Sequence, residues 1–247
     1  MAKVWTGDGK LAVGVSAPPA KIESAFWYEA QRQWLQGSKY LWLSRLNAHE
    51  QAKRALDVTM AASMLIGLLP LFALLALIVK LTDGGPALHW QMRVGRWGKE
   101  FPFPKFRSMR MDAEKLLESL LSENQHQAGV TFKIRRDPRV TRIGALLRRF
   151  SLDELPQIWC VLKGEMSLVG PRPPLPREVQ YYSLNDRRRL DVKPGLTCIW
   201  QVSGRSDIPF PEQVKLDVDY IERRSLWLDL QLLARTVSAV ISGKGAY

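Results

Sequence analysis

"VTMAASMLIGLLPLFALLALIV", residues 58–79, runs for 22 residues without a charged side chain. As a straight helix rising about 1.5 Å per residue it would be about 33 Å long, just enough for a hydrocarbon core of about 30 Å. It is too long and too far from the N-terminus for a signal peptide. A core helix of a soluble protein would show a polar face, and this run shows none, so membrane insertion is the reading. Pro70 divides the run near its middle, and each half alone reaches only about half the bilayer depth. Basic residues crowd both flanks, with Arg45, Lys53 and Arg54 before and Lys80, Arg93, Arg96 and Lys99 after. By the positive-inside rule neither flank looks exported. The run is therefore expected to enter and return with a bend at Pro70 rather than to cross. Neighbouring protein, interfacial helices or water would satisfy the backbone groups freed at the bend.

Working outward, residues 1–20 are rich in Gly, Ala and Pro and are expected to be flexible. Residues 21–56 read as helical, with Trp27, Trp34, Tyr40 and Trp42 among charges. That pattern suits an interfacial helix and equally a helix packed on the body of the protein. Beyond the apolar run, "ALHWQMRVGRWGKEF" (87–101) predicts a short hairpin about Gly95 and Gly98, and "MDAEKLLESLL" (111–121) an amphipathic helix. The closing "SLWLDLQLLARTVSAVI" (225–241) puts Leu226, Leu230, Leu233, Val237 and Ile241 on one helical face, open to core packing or membrane contact. The expected architecture is an α-rich α+β protein in three parts: an extension (1–52), a membrane helix (53–82) and a compact domain (83–247).

The formal net charge of +12 calls for an anionic partner: nucleic acid, a phosphorylated substrate or an anionic membrane face. Cys160 and Cys198 make no disulfide framework and suit small buried hydrophobes. His49, His89 and His126 are scattered without ligand spacing, which argues against zinc or haem; any metal should be a hard one on oxygen.

"RRFSLDELPQ" (148–157) sets two carboxylates behind two guanidiniums. One reading is structural: Ser151 and Glu154 have the spacing of a capping box, and acidic residues suit a first helical turn. Pro156 is awkward there, because it comfortably occupies only the first helical position. The other reading is a reaction centre. "KFRSM" (105–109), Arg148-Arg149, "GPRPP" (170–174) and "GRS" (204–206) each put a basic group in a loop or at an element end, and guanidinium forks suit phosphate. Together with the carboxylate pair they suggest a site for a diphosphate. No Walker loop, GxGxxG or Ser/His/Asp grouping competes.

"KFRSM", "SLDELPQ", "MSLVGPRP", "VKPGLTCIWQVSGR" and the closing "SLWLDL" and "GKGAY" resemble the bacterial sugar transferases, small monotopic polyprenyl-phosphate glycosyl-1-phosphate transferases. The likeness covers about residues 53–247. It implies transfer of a sugar-1-phosphate from a UDP-sugar to undecaprenyl phosphate, with release of UMP. It places the reaction on the cytoplasmic face of the bacterial inner membrane, with magnesium, or manganese in its stead, at the opening of exopolysaccharide, capsule or O-antigen assembly. It also implies a re-entrant membrane helix and a cytoplasmic catalytic domain.

Carried over by position, the resemblance makes Asp153 the nucleophile of a phosphosugar-aspartyl intermediate and Glu154 the magnesium ligand. Lys105 and Arg148 join them as catalytic groups; Pro171, Arg172, Pro173, Arg205, Asp217 and Asp229 become substrate-binding positions, and Pro70 the membrane bend. A carboxylate approaches a diphosphate only if cations offset a repulsion of about 4 kcal/mol at about 4 Å. Some family members have Ser-Pro at the bend where this chain has Leu69-Pro70, and longer members carry a bundle of spanning helices ahead of the shared region. "TCIWQVSGRS" and "KGAY" look more like the hexose-using exopolysaccharide enzymes of the family, a likeness that implies glucose or galactose rather than an N-acetylhexosamine. A rival reading is a membrane-anchored basic protein that binds nucleic acid or acidic lipid without catalysis; it accounts for "RRDPRVTRIGALLRR" and leaves Asp153-Glu154 unexplained, and no standard nucleic-acid module is visible. A pseudoenzyme or assembly scaffold is a third, set against the presence of all the key polar residues.

Overall fold

Pro70 sits in the first turn of a helix rather than in the middle of one, and the chain is bent there. The computed structural model describes residues 3–5, 11–13, 48–116 and 137–243. Helix α1 (Ala48–Gly67) is followed by α2 (Leu69–Asp83) across Leu68, whose φ of −94° and ψ of 1° leave the helical region, and the two axes diverge by 61°. No single helix among the described residues is long and apolar enough to cross a membrane; the two arms reach the required length and apolar composition only when taken together across the bend. The ring of Pro70 cannot continue the helical hydrogen-bond ladder of α1, whereas its fixed φ suits the start of α2. Around the break Leu68 N donates to the Met64 carbonyl and Phe72 N to the Leu68 carbonyl.

One stripe of α2, Leu75 and Val79 with Leu71, Phe72 and Ala76 beside them, packs on Phe106, Leu147 and Leu155. Its other side, Leu69, Leu74, Leu77 and Leu81, is exposed. Helix α1 is fixed at its base by polar anchors instead. Arg54 donates to the carbonyls of Val161 and Leu162, capping the last turn of α4 (Ile158–Lys163), and Asp57 accepts from Ser167 Oγ and Leu168 N. Lys53 meets Asp229 at 2.5 Å.

By contact the chain falls into two units, Met1–Glu50 and Gln51–Tyr247. In the first, where a flexible segment was expected, β1 (Lys3–Trp5) pairs antiparallel with β2 (Leu11–Val13); the helical reading of residues 21–47 lies outside the described residues. In the second, the hairpin forms as expected: β3 (Leu88–Val94) pairs antiparallel with β4 (Glu100–Phe106) about Gly95–Lys99. Its register puts His89, Gln91 and Arg93 on one face with Phe101, Phe103 and Lys105. The expected helix at 111–121 is, over its described part 111–116, a run of turns, and its remainder lies outside the described residues.

Helix α3 (Arg142–Arg149) precedes a 3-10 stretch, Leu152–Gln157, and then α4. Strand β5 (Ser167–Val169) pairs in parallel with β6 (Gly195–Thr197). Between them lie short helices α5 (Pro176–Val179) and α6 (Leu184–Arg187); after β6 come α7 (Ile199–Ser203), α8 (Phe210–Arg223) and α9 (Leu226–Ser242). Phe101, Phe103, Ile158, Val161, Met166, Leu168, Tyr220 and Leu232 make the main core, into which α1 inserts Ala61. The sequence assigned Leu226, Leu230, Leu233, Val237 and Ile241 to one apolar face of α9; Leu230, Val237 and Ile241 of that face are exposed, while Leu232 on another face fills the core.

Candidate active site

Asp153 and Glu154 are presented by a left-handed turn and not by a helix cap. Ser151 has φ 53° and its hydroxyl makes no capping bond; only its backbone carbonyl accepts, from Glu154 N at 3.2 Å. The expected capping box is therefore absent. A residue without glycine's freedom held at positive φ is costly and turns the chain sharply between α3 and the 3-10 stretch. Pro156, which lacks an N–H, sits inside that stretch, and regular α-helix begins only at Ile158.

The pair faces a cavity of about 530 Å³. Arg93 from β3, Lys105 from β4, Arg148 from α3 and Arg172 from the loop after β5 form its polar wall with the two carboxylates. Its lining also has an apolar part, with Met64 of the bent helix, Leu196, Val237, Val240 and Ile241; Trp200, Gln201 and Arg205 line it too. Each cation is placed by identifiable contacts. Arg172 Nη2 donates to Glu154 Oε1 at 2.7 Å. Arg148 Nε donates to Ser108 Oγ at 2.9 Å, and helix α3 can lie that close because Gly144 has no Cβ, which would stand 1.9 Å from the Ser108 carbonyl oxygen. The Arg172 loop is pressed between backbones: a Cβ at Gly195 would meet Gly170 N at 2.0 Å, and Gly195 N donates to the Pro171 carbonyl.

Burial pushes the Asp153 carboxyl up to about 6, Glu154 adds to the rise, and Arg148, Lys105 and Arg172 oppose it. Glu154 goes the other way: burial raises it, but the charge and hydrogen bond of Arg172 more than reverse this and hold it below its ordinary value. Lys105 is pushed down to about 8 by burial, then by Arg93 and Arg148. Two neighbouring carboxylates thus have divergent environments, the pattern expected when adjacent acids are given separate tasks.

The structure gathers Lys105, Arg148, Asp153, Glu154, Arg172 and Arg205 at one cavity. Pro171 and Pro173 flank Arg172 and contribute carbonyls to the framework, accepting from Gly195 N and Arg93 Nη1. Asp217 and Asp229 do not line it. Asp217 is fully buried against Arg189, with Nε and Nη2 both at 2.7 Å, while Tyr182 and Phe210 flank the guanidinium. Asp229 is fully buried between Lys53 and the Tyr220 hydroxyl. Both hold the frame together. Arg93, which the sequence reading placed only among membrane-flanking charges, belongs to the site. The alternation of "LHWQMRV", apolar at Leu88, Trp90 and Met92, already puts it on the opposite face with Lys105.

Among the described residues no group of three or more His, Cys, Asp or Glu side chains is assembled to hold a metal. Two adjacent carboxylates fit magnesium, which is bound through one or two carboxylates with phosphate and water supplying the rest. Carboxylates ringed by cations beside an apolar wall define a site for a phosphorylated, partly apolar ligand.

The family model for bacterial sugar transferases matches residues 48–243, and the chain belongs to that family. Similar proteins include the galactosyl transferase CpsE of Streptococcus agalactiae, 49% identical over 81% of this chain and 44% of that protein. The undecaprenyl-phosphate galactose phosphotransferase of Salmonella typhimurium is 43% identical over 79% of this chain and 41% of its own. The exopolysaccharide production protein ExoY of Rhizobium meliloti is 40% identical over 79% of this chain and 88% of its own. The chain thus spans less than half the length of the first two relatives and most of the third.

Proposed function

We propose that the protein transfers a hexose-1-phosphate, galactose or glucose, from a UDP-sugar to undecaprenyl phosphate, opening the synthesis of an exopolysaccharide. The observation that carries this is the Asp153–Glu154 pair set among Arg93, Lys105, Arg148 and Arg172 at one cavity. The names of the relatives, galactose and glucose phosphotransferases of undecaprenyl phosphate among them, supply the substrate class.

In this reading an Asp153 oxygen attacks the phosphorus that bears the sugar. The bond from that phosphorus to the bridging oxygen breaks, and UMP leaves with the oxygen and the electron pair. A phosphate oxygen of the lipid then attacks the same phosphorus and releases Asp153 as a carboxylate, so no net proton transfer is needed. Arg148 and Lys105 favour the ionised nucleophile and, with Arg172, offset the charge of the phosphates. Glu154 would hold magnesium or manganese, which when bound neutralises phosphate charge. The apolar wall continuing onto α1 suits a lipid acceptor, and the exposed side of α2 suits bilayer. With basic residues on both flanks of the apolar run, the bent pair is read as re-entrant, with the catalytic unit at the cytoplasmic face of the inner membrane.

The rival reading, a non-catalytic binder of nucleic acid or acidic lipid, gives the carboxylate pair no task, since it would repel a polyanion. The deciding experiment supplies a panel of UDP-sugars with undecaprenyl phosphate and magnesium, and scores UMP. UMP with UDP-galactose or UDP-glucose is expected; no UMP from any donor, with salt-dependent DNA binding instead, would overturn the reading.

A further inference from the structure

Arg93 is a buried cation placed beside another cation. Burial, then the charge of Arg172 and to a smaller extent that of Arg177, lowers its pKa to about 10, against the opposing charges of Glu178 and Glu154. Nη1 donates to the Pro173 carbonyl at 3.0 Å and Nη2 to Gln91 Oε1 at 2.9 Å, and its guanidinium carbon lies 5.2 Å from the centre of the Phe103 ring. Its buried Nε has no partner. Nothing in those neutral acceptors calls for a charge. Val94 N ties the strand to the Pro174 carbonyl at 2.9 Å and Gly195 N ties the other side at Pro171, and these two bonds leave the Pro173 carbonyl between them to Arg93. What Arg93 adds is a rigid fork on the carbonyl one residue past Arg172, whose own guanidinium holds Glu154 at 2.7 Å.

We infer that Arg93 is a positioning residue of the active site: its fork, braced by Gln91 and Phe103, sets the Arg172–Pro173 loop so that Arg172 stays on Glu154. Its terminal nitrogens are taken by Pro173 and Gln91, so its effect is carried through Arg172. This rests on the transferase reading above, and its test has one arm that needs no turnover.

Hydrogen–deuterium exchange of the full chain is compared for wild type and Arg93→Met over the peptide containing residues 168–179, with thermal melting as the check on folding. Faster exchange at Arg172, with the other core peptides unchanged, is expected; unchanged exchange at Arg172 overturns the inference whatever the enzyme does. In the second arm kcat and KM for the UDP-sugar are measured for Arg93→Met, Arg172→Ala and the double variant. Arg93→Met should lower kcat about tenfold or more with KM nearly unchanged, and should cost little further once Arg172 is gone. Additive losses would mean that Arg93 does not act through Arg172. Arg93→Lys, which keeps the charge, should remain impaired because a single ammonium nitrogen lacks the planar pair of terminal nitrogens that meet Pro173 and Gln91 separately; full rescue by lysine would also overturn the fork. A wild type that transfers nothing would remove the transferase reading and leave the exchange arm to decide Arg93.

Discussion

Lys53, in the first turns of the bent helix pair, reaches 176 positions along the chain to Asp229, with Nζ 2.5 Å from the carboxylate. Asp229 is almost wholly buried and also accepts from the Tyr220 hydroxyl at 2.8 Å. A charge pair of this kind is weak evidence for net stability, but breaking one side leaves a charge buried alone. Lys53→Met should therefore cost about 3–5 kcal/mol, read by chemical unfolding in detergent. Lys53→Met with Asp229→Leu should be much milder, because the Tyr220 hydroxyl keeps the Val169 carbonyl as acceptor at 3.0 Å. A double variant no better than the single would show that the carboxylate is needed for itself.

The bend makes a prediction about topology. With α1 and α2 diverging by 61° and bases on both flanks, cysteines placed at the exposed positions 51, beside Lys53, and 80 should label from the same, cytoplasmic, side. Labelling of either from the periplasm would refute the re-entrant reading. Pro70→Leu restores the missing N–H, and part of the population should straighten towards a spanning form in the same assay.

Helix α3 lies on Ser108 by way of Gly144, and the prediction there separates packing from chemistry. In Gly144→Ala the new methyl would stand 1.9 Å from the Ser108 carbonyl oxygen, so α3 must move and carry Arg148 with it. Stability should fall by about 1–3 kcal/mol, and kcat should fall as well. Ser108→Ala keeps the close approach and removes only the acceptor of Arg148 Nε, so kcat should fall while the melting temperature changes little. Equal loss of melting temperature in both would show that Ser108 matters only to packing.

The bend at Pro70 and the hairpin about Gly95 were legible because each is a local rule: a proline without a donor, and a period-two pattern closed by glycines. The motif residues Lys105, Arg148, Asp153, Glu154 and Arg172 could be picked out by type. What a carboxylate faces is another matter. Asp217 and Asp229 look like site residues in the sequence, yet their partners, Arg189 and Lys53, lie 28 and 176 positions away and consume them in the frame. The capping reading of Ser151 fails on backbone conformation, which local spacing does not show: Ser151 is left-handed, and Glu154 accepts from Arg172 instead. Arg93 was overlooked because its charge also served the membrane-flank argument; only the pairing of β3 with β4 shows which face it shares with Lys105.

Replacement of Asp153 by asparagine tests the nucleophile and its environment together. Its carboxyl is pushed up to about 6, first by burial and then by Glu154. For a carboxyl raised above its unfolded value, the folded state holds the proton more tightly, so stability falls as pH rises from about 4 to about 6 and stays lowered above that. Asp153→Asn removes this cost, and above pH 6 its melting temperature should equal or exceed that of wild type by a few degrees. Activity should move oppositely. The nucleophile must be ionised, so wild-type kcat/KM should rise with pH through about 6, and the asparagine protein should lose several orders of magnitude at every pH. Given UDP-sugar without lipid acceptor, wild type should release about one UMP per site and keep a phosphosugar on the peptide containing "SLDELPQ", detectable by mass spectrometry. A folded Asp153→Asn protein that turns over at near wild-type rate would show that the strained Ser151 turn presents Asp153 for some purpose other than attack on phosphorus.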